Sequence, residues 1–444
     1  MENTISLKAK LREILQEWHE FRLPDLIARD LDMAPVHNNR IVSVIGPRRS
    51  GKTWFCFQIM KDLISQGVPR ENLVYINFED ERLSPLTGAE LTYLLESHRE
   101  LREIDKRAKL WCFVDEIQNV PNWSKWVRRV SDQNQSLHVV LTGSSAKLLS
   151  TEIATELRGR TLSITLLPFS FAEYLDAHGG GRQSANPALL HGSKRVEVRK
   201  RFREFSEKGG FPGLPETGYR EVLQEYYRAM FSRDILERFA VKNVRLLEDF
   251  LKIQLSRFSS LSSISNLESE LQALGHRFSK NTLNAFLGYA KDVFLLFESP
   301  IYSPKVKNQL LYPRKVYGVD QGLLNAVRFS TSEDKGRYLE NMVFLELKRR
   351  GWEIFYTSGK GECDFILIEG KKVAYAIQAC FDLENPKTRK REIDGLLEAM
   401  DLFGLKEGLI LTDDESGEIK AEKKTIRIKP FWYFALQKGG SALE

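Results

Sequence analysis

The chain has 444 residues, of which 42% are hydrophobic and 28% are charged, and its 66 lysines and arginines against 60 aspartates and glutamates give a formal net charge of +6. This composition excludes a disordered or fibrous protein and is typical of globular domains, of which a chain of this length forms about three. The charge permits a polyanionic partner without requiring one. The longest uncharged stretch, residues 133–146, is too short and too polar to cross a bilayer.

The cysteines and the N-terminus indicate the cellular compartment. No two cysteines have the Cys-x-x-Cys spacing of a zinc site, and their scatter does not suggest a disulfide framework. The first residues lack the basic start and apolar run of a secretory signal. We therefore expect a cytoplasmic protein without a membrane anchor.

The first part of the chain has the pattern of an α/β fold. Apolar residues at helical spacing predict a helix between residues 5 and 20. Short β-rich runs then alternate with longer helical segments as far as residue 167, which predicts a parallel sheet covered by helices on both faces. The predicted strands are Ile41 to Ile45, Leu73 to Phe78, Leu110 to Val114, Leu137 to Leu141 and Leu162 to Leu167.

A phosphate-binding motif follows the first predicted strand. The pattern G-x-x-x-x-G-K-[ST] occurs once, between that strand and a helix, which is the context that the motif requires. Its glycines let backbone N–H groups face phosphate oxygens, Lys52 is expected to reach the β- and γ-phosphates, and the Thr53 hydroxyl can bind Mg²⁺. For the two arginines of the loop, contact with phosphate, with a neighbouring subunit or with solvent stays open. The predicted nucleotide-binding residues here are Gly46, Pro47, Arg48, Arg49, Ser50, Gly51, Lys52, Thr53 and Trp54.

Polar side chains at the ends of two other strands complete the predicted nucleotide site. Asp115 and Glu116 follow an apolar strand, where the first carboxylate is expected to hold Mg²⁺ and the second to orient the attacking water. Thr142 and Ser144 follow the next strand, and their hydroxyls are candidates for contact with the γ-phosphate or with that water. The alternative for Ser144 or Ser145 is to cap a helix. The Asn-Lys-x-Asp motif that reads guanine does not occur, which favours ATP.

Several spaced motifs together resemble the predicted AAA+-type ATPases of archaea and bacteria, in which the same segments occur in the same order. The resemblance covers most of the chain and implies an ATPase that uses ATP and Mg²⁺. The segments that carry it are Gly46 to Thr53, Val114 to Glu116, Leu141 to Ser145, Glu156 to Arg160, Leu167 to Tyr174 and Gly209 to Pro212.

Two arginines acquire a role through this resemblance. Arg158 and Arg160 become candidates for sensing the γ-phosphate, because a rigid guanidinium suits the charge that spreads over the γ-oxygens during transfer. They would act within their own subunit or as a finger offered to a neighbour, and the second arrangement requires a homo-oligomer, for which a hexameric ring is one form. The alternative is that they solvate a turn or pair with Glu152 and Glu156.

The middle of the chain suggests a DNA-binding module. The pattern is helical between about residues 217 and 328, and two short helices, 267–274 and 282–289, precede a β-like run, 293–297. Helix, helix, then hairpin is the order of a winged helix-turn-helix, whose second helix would begin near Ser279 to Asn284 and meet bases or phosphates. Basic clusters that could bind a phosphate backbone, or that are solvated helix faces, are Lys194-Arg195, Arg199 to Arg203 and Lys387 to Arg391.

The C-terminal part carries an altered nuclease pattern. Glu340 on a predicted helix, Asp364 on a strand and Gln378 on the next strand resemble the order of acidic residues in a PD-(D/E)XK nuclease, which binds one or two Mg²⁺ ions. Gln378 stands where that family has Glu, and Cys380 stands where it has Lys. Gln378 can still offer an oxygen to a metal, but a thiol cannot replace an ammonium, and Lys387 or Lys390 are candidate substitutes. We expect the fold to persist with nuclease activity lost or weak.

The expected architecture is a P-loop NTPase sheet, a helical and winged-helix middle and an α/β nuclease-like end. The predicted boundaries are 1–35 for an N-terminal helical segment, 36–178 for the ATPase core, 179–330 for the middle domain and 331–444 for the nuclease-like domain. The expected function is ATP-driven binding or remodelling of DNA by a homo-oligomer. The alternatives are a nucleotide-dependent switch that moves no DNA and an ATP-dependent nuclease.

Overall fold

The computed structural model of the protein describes residues 2–38, 41–105, 108–133, 136–146, 161–179, 192–328 and 334–437. The chain divides into two compact units: unit 1 contains Met1–Leu166 and Asp292–Phe294, and unit 2 contains Leu167–Lys291 and Leu295–Glu444. The finer domain boundaries given above stay predictions. Among the described residues, none of the helices combines the length and the apolar character that a bilayer span requires.

Unit 1 is built on a five-stranded parallel sheet with the strand order β2-β3-β4-β1-β5. All residues of β1, β3 and β4 are buried, as expected for parallel strands with both faces covered. The predicted sheet is confirmed, and every strand end lies within two residues of its predicted position. The strands are β1 (Ile41–Ile45), β2 (Leu73–Asn77), β3 (Leu110–Asp115), β4 (Leu137–Gly143) and β5 (Thr161–Thr165).

Helices cover this sheet and bury its apolar side chains. One cluster joins Trp18 of the first helix and Phe55 and Phe57 of the third to Val42 of β1 and Phe113 of β3, all nearly inaccessible to solvent. Removing such aromatic side chains from water is the main stabilising contribution to a core of this kind. The helices of unit 1 are α1 (Glu2–Glu20), α2 (Ala34–Asn38), α3 (Lys52–Ser65), α4 (Thr92–Arg102) and α5 (Trp123–Gln133).

The strand order brings three strand ends together. Because β3, β4 and β1 are neighbours and parallel, their carboxyl ends meet at one edge of the sheet, where Ile45 pairs with Gly143 and Val114 pairs with Leu141. In α/β proteins, ligands bind outside the carboxyl ends of such strands. The predicted nucleotide-binding residues follow these same strand ends.

Two histidines stack where α1 meets α4. His98 Nε2 lies 2.9 Å from the Glu71 carbonyl oxygen, which can only accept, so neutral His98 carries its proton on Nε2. Its Nδ1 then accepts from His19 Nε2 at 3.5 Å. Burial lowers the pKa of both rings from 6.5 to about 4, because a second proton on His98 would be poorly solvated and would face another donor.

This pair predicts a loss of stability in acid. A histidine whose folded pKa is depressed stabilises the native state above its unfolded value, so stability should be lost as the pH falls from 6.5 towards about 4. We expect thermal melts followed by circular dichroism to show this decline in the wild type. In His98→Gln the melting temperature at neutral pH should be lower by a few degrees, and its decline below pH 6.5 should be shallower. An equally steep decline in His98→Gln would contradict this assignment.

The first part of unit 2 contains helices and a small antiparallel sheet with the strand order β6-β8-β7. The predicted pair of short helices is present as α10 and α11, and the predicted hairpin begins at β7. A π-helical segment, Met230–Glu237, continues α8. The elements are α6 (Phe171–Ala177), α7 (Gly192–Lys208), α8 (Tyr219–Ala229), α9 (Val244–Ser256), β6 (Ser260–Ser262), α10 (Ile264–Ala273), α11 (Lys280–Asp292), β7 (Leu296–Ser299), α12 (Val306–Leu311), β8 (Arg314–Gly318) and α13 (Gln321–Val327).

The glycine pair after α7 has a structural explanation. Gly209 has a φ of +82°, and a Cβ added there would lie 2.1 Å from Asp320 Oδ1. The Gly210 N–H donates to Asp320 Oδ2 at 2.7 Å, and the same carboxylate caps α13 by accepting from the Leu323 N–H at 2.9 Å. Only glycine allows this close approach and this backbone conformation, so the Gly-Gly-Phe-Pro segment fixes a turn within unit 2.

The remainder of unit 2 is a six-stranded mixed sheet with the order β13-β14-β12-β11-β10-β9. Its predicted helices and central strands are present, whereas β13 and the last helix were not predicted. Apolar side chains of α15 and of the sheet form one core, which includes Leu396, Met400 and Ile410. The elements are α14 (Lys335–Arg349), β9 (Glu353–Ser358), β10 (Glu362–Glu369), β11 (Lys372–Ala379), α15 (Pro386–Phe403), β12 (Glu407–Thr412), β13 (Gly417–Ala421), β14 (Lys424–Pro430) and α16 (Phe431–Leu436).

Candidate nucleotide-binding site

The loop between β1 and α3 has the backbone that phosphate binding requires. Gly51 and Arg49 both have positive φ, of 95° and 67°. A Cβ at Gly46 would lie 2.1 Å from the Leu166 carbonyl oxygen, so no larger residue fits at the start of the loop. A non-glycine residue in the left-handed region is strained, and such strain is concentrated at ligand-binding segments. The loop leads directly into α3, whose first residue is Lys52.

Lys52 lies inside the loop with 5% of its surface exposed. Its ammonium donates to the Gly46 and Pro47 carbonyl oxygens at 3.2 and 3.1 Å and lies 3.6 Å from Glu116 Oε1. Within the described part of the chain, the buried Ser50 hydroxyl has no hydrogen-bond partner. An unpaired buried hydroxyl beside a buried ammonium is a polar lining that a phosphate group would satisfy.

Asp115 is the most heavily bonded carboxylate of the site. Its Oδ2 accepts from the Thr53 hydroxyl at 2.7 Å and from the Tyr75 hydroxyl at 2.9 Å, and its Oδ1 accepts from the Thr142 hydroxyl. Burial raises the pKa of Asp115, although the bonds from Thr142 and Thr53 act in the opposite direction. Burial next to this carboxylate also raises the pKa of Tyr75, which keeps the phenol a donor.

Glu116 follows in a strained conformation that turns it away from the strand. Its φ is 53°, and its backbone N–H donates to the Thr142 hydroxyl at 2.9 Å. Thr142, predicted to contact phosphate or water, therefore holds both neighbouring acidic residues in place. The Glu116 side chain lies between Lys52 and Gln118, whose amide donates to Oε2. The carboxylate is thus oriented by two cationic or polar partners at the edge of the sheet.

Gln118 was not predicted from the sequence. Its Nε2 donates to Glu116 and lies 3.5 Å from Ser144 Oγ. Among the described residues its buried Oε1 has no hydrogen-bond partner. Gln118 lies in a short turn just after the Asp-Glu pair. In the sequence, only its position two residues after Glu116 connects it with the site, and that spacing does not predict a contact. We infer that Gln118 positions the Glu116 carboxylate.

Removal of the Gln118 side chain should impair catalysis more than binding. We expect Gln118→Ala to lower the single-turnover rate of ATP hydrolysis by about 10- to 100-fold, since a hydrogen bond to a charged group is lost. The affinity for ATP should change by less than about 3-fold, since Gln118 does not line the phosphate loop. Gln133→Ala, which removes an exposed glutamine at the end of α5, is the matched control. A parallel loss of affinity and rate would contradict a positioning role.

Further contacts support the loop from the N-terminal side. The guanidinium of Arg29, which is 8% exposed, donates to the Ser50 carbonyl at 2.8 Å. The Gln58 side chain of α3 accepts from the Arg29 backbone N–H at 2.7 Å. The segment that carries Arg29 has no helical or strand periodicity, so no pattern could have placed it here. Arg48 pairs with Glu79 at 3.0 Å, whereas Trp54 at the start of α3 is 52% exposed.

Two predicted residues have no structural description. Arg158 and Arg160 lie outside the described residues, so their predicted role in γ-phosphate sensing stays a prediction. The residues that follow Ala146 also lie outside the described ranges, so the predicted capping role of Ser144 or Ser145 stays a prediction.

The three residues of the predicted nuclease-like centre lie together in unit 2, but their partners differ from the prediction. Glu340 and Asp364 both contact the ammonium of Lys315, at 3.0 and 2.7 Å. The Gln378 carbonyl accepts from the Asp364 N–H at 3.0 Å, and its amide donates to Glu392, so the oxygen expected for a metal is already engaged.

The lysine at this centre also differs from the prediction. Lys387 and Lys390 are exposed on α15. Among the described residues, the lysine that contacts Asp364 is Lys315 of β8. The Lys315 ammonium and the Ala379 N–H are therefore the groups that donate to the Asp364 carboxylate.

Comparisons with known proteins identify two regions of the chain. Residues 38–175 match the model of a family described as an AAA domain. Residues 199–334 match the model of a domain of unknown function, DUF8612. The first match contains β1 to β5 and the described residues of the nucleotide site except Arg29. The P-loop α/β character of this region is therefore confirmed.

Solved structures give only distant similarity. Cdc6p from Pyrobaculum aerophilum is 12% identical, with a TM-score of 0.26 over 66% of this chain and 86% of that chain. AMPPCP-bound DnaA from Aquifex aeolicus is 13% identical, with a TM-score of 0.22 over 57% of this chain and 82% of that chain. These scores are too low to indicate a shared overall fold.

Two curated sequences are much more similar. The uncharacterized protein MJ1544 of Methanocaldococcus jannaschii is 34% identical over 429 residues, which are 93% of this chain and 91% of that protein. An uncharacterized protein of Haemophilus influenzae is 30% identical over 369 residues, which are 81% of this chain and 86% of that protein. The chain therefore belongs to the protein family that includes these two proteins, and its residues 38–175 match the model of an AAA domain.

Proposed function

We propose that this protein is a Mg-ATP-hydrolysing ATPase that uses nucleotide turnover to bind or remodel DNA as a homo-oligomer. The observation that carries the ATPase proposal is the convergence of Lys52, Thr53, Asp115 and Glu116 at the carboxyl edge of the parallel sheet. A phosphate loop, two hard oxygen ligands and a second carboxylate at the same strand ends are the parts that phosphoryl transfer to water requires.

The residues present fit a bound Mg²⁺. The Thr53 hydroxyl and the Asp115 carboxylate, 2.7 Å apart, are oxygen donors of the kind that Mg²⁺ takes, and Asp115 is held by hydroxyls that leave its charge available. When bound, Mg²⁺ neutralises charge on the β- and γ-phosphate oxygens. Burial raises the pKa of Asp115, whereas a bound cation favours its ionised form. At acidic pH, binding of Mg²⁺ therefore releases a proton from this carboxyl group.

The remaining residues of the site have separate tasks in hydrolysis. Lys52 exchanges its contacts to the Gly46 and Pro47 carbonyls for phosphate oxygens, which strengthens its hydrogen bonds because the acceptor is charged. Glu116 polarises the attacking water and accepts its proton. Thr142 and Gln118 fix the orientation of Glu116, so that its carboxylate does not need to be ordered during the reaction.

DNA binding is supported by the order and exposure of elements in unit 2. The succession α9, β6, α10, α11, β7 and β8, with a three-stranded sheet, supports the proposal of a winged helix, because helices followed by a hairpin are expected in that motif. In α11, Leu283 and Phe286 are buried, whereas Asn281 and Asn284 are exposed. The outer face of this helix therefore presents side chains that can donate to and accept from base edges.

The loop between β7 and β8 adds charge and apolar surface. No acidic residue occurs between Ser299 and Val319, and Lys305 and Lys307 are exposed at the tip. Leu310 and Leu311, in the short helix α12, are 66% and 69% exposed. Lysines that bind phosphates, together with apolar side chains that can contact bases, fit a nucleic acid better than an acidic or purely apolar partner.

The experiment that tests this function is ATP hydrolysis by the full chain with and without duplex, forked and junction DNA. We expect DNA to increase the rate. Lys305→Glu combined with Lys307→Glu should remove most of this stimulation. The slope of the logarithm of the DNA-binding constant against the logarithm of the salt concentration should become shallower by about two, because two phosphate contacts are lost. Lys371→Glu with Lys423→Glu, which reverses two exposed lysines in β-turns, is the matched control.

The outcomes separate the candidate functions. Hydrolysis that DNA does not change would contradict the DNA role and favour a nucleotide-dependent switch. Equal effects of the two double variants would contradict the placement of the DNA surface. The oligomer, proposed because the family resemblance gives Arg158 and Arg160 a role between subunits, is tested by light scattering with and without ATP. A monomer under both conditions would contradict it.

A further inference from the structure

In unit 2, a lysine of the three-stranded sheet contacts three carboxylates, two of which belong to the six-stranded sheet. Lys315, on β8 of the three-stranded sheet, has 2% of its surface exposed. Its Nζ lies 2.6 Å from Glu362 Oε1, 2.7 Å from Asp364 Oδ1 and 3.0 Å from Glu340 Oε1. Glu340 comes from α14, and the other two carboxylates come from β10 of the six-stranded sheet.

This ammonium has no hydrogen-bonding capacity left for a ligand. A lysine carries three N–H donors, and three carboxylate oxygens lie within hydrogen-bond distance. Burial alone would lower the pKa of Lys315, but the Asp364 and Glu340 carboxylates outweigh burial and raise it, so the group stays charged. To bind a phosphodiester or to activate water, this buried ammonium would first have to give up one of its three carboxylate partners, whereas two of the partners of Lys52 are neutral carbonyls.

The carboxylates are equally engaged by protein groups. Asp364 Oδ2 accepts from the Ala379 N–H at 2.9 Å, and Glu340 Oε1 accepts from the Tyr317 hydroxyl at 2.9 Å. Burial raises the pKa of Glu340, and the Lys315 ammonium opposes this rise.

We propose that Lys315 is the resident cation of this centre. Its ammonium occupies the position that a divalent metal takes in a carboxylate centre, so the cluster is a closed ion pair network that fastens β8 to α14 and β10 and does not support metal-dependent cleavage of DNA. The same contacts account for Gln378 and Cys380, because a site that neither binds a metal nor activates water has no use for a carboxylate and an ammonium at these positions.

Manganese binding by the nucleotide-free full chain tests this proposal. We expect the wild type and Asp364→Asn to bind Mn²⁺ alike in titrations followed by electron paramagnetic resonance, because Asp364 already pairs with Lys315. Labelled DNA incubated with either protein in Mg²⁺ or Mn²⁺ should show no cleavage that depends on Asp364. A site or a cleavage activity that the wild type has and Asp364→Asn lacks would overturn the proposal, and this comparison does not require any variant of Lys315 to fold.

Removing the ammonium should convert the cluster into a metal site. In Lys315→Met we expect the melting temperature to fall by at least about 5 °C, because three carboxylates lose their buried partner. Millimolar Mn²⁺ should recover most of this loss in Lys315→Met but not in Lys315→Met combined with Asp364→Asn. Lys372→Met, which removes an exposed lysine of β11, is the matched control. A folded Lys315→Met that Mn²⁺ does not stabilise would also overturn the proposal.

Discussion

Lys52→Ala is expected to weaken ATP binding by about 10- to 100-fold and to reduce hydrolysis by a further factor of about 100 to 1,000. The buried ammonium lies among the Gly46 and Pro47 carbonyls and Glu116, and it is the one lysine among the described residues of the phosphate loop. Its charge contributes in the ground state and more strongly as negative charge moves to the leaving phosphate oxygens. Equilibrium binding of a fluorescent ATP analogue and steady-state hydrolysis measure the two effects.

Lys61→Ala is the control for this change, because Lys61 lies on the same helix, α3, outside the phosphate loop. It should leave both binding and hydrolysis within about 2-fold of the wild type. A folded Lys52→Ala protein that binds and hydrolyses ATP as the wild type does would show that the loop is not the phosphate site.

Glu116→Gln is expected to separate binding from chemistry. The amide keeps the shape of the side chain and its place next to Gln118 but cannot accept a proton from water. We expect hydrolysis to fall by about 100- to 10,000-fold, whereas the dissociation constant for ATP should stay within about 3-fold of the wild type. Rapid filtration after incubation with labelled ATP should therefore recover ATP, not ADP, on the variant.

The control is Glu81→Gln, which neutralises an exposed carboxylate of the same unit. It should hydrolyse ATP at the wild-type rate. If Glu116→Gln hydrolyses ATP normally, another group accepts the proton, and the contacts of Glu116 with Lys52 and Thr142 serve only the structure of the loop.

The parts of the site that the sequence could predict are those set by local patterns. The five strands of the parallel sheet appear in the sequence as short β-rich runs. The loop after the first strand needs glycine at fixed positions, so Gly46 and Gly51 mark it directly. The Asp115-Glu116 pair was assigned because it ends such a strand. Tyr75, Arg29 and Gln118 were missed, since each reaches the site from a segment whose own pattern says nothing about its neighbours in space.

The acidic centre of unit 2 shows the same limit at longer range. The order of Glu340, Asp364 and Gln378 could be predicted because the helix and strand patterns place them on a helix and two strands. Lys315 lies 49 residues before Asp364 on a strand of a different sheet, and the two residues were not connected from the sequence. Only the packing of one sheet against the other decides that its ammonium is buried among carboxylates, and no local signal encodes that packing.

The central claim is that the loop before α3 binds a magnesium nucleoside triphosphate. Isothermal titration calorimetry of the full wild-type chain with ATP in magnesium buffer tests it most directly. We predict saturable binding of one ATP per chain, which weakens when magnesium is chelated and when excess ADP is present. Heats that show no saturable binding of ATP to the folded protein would contradict the account.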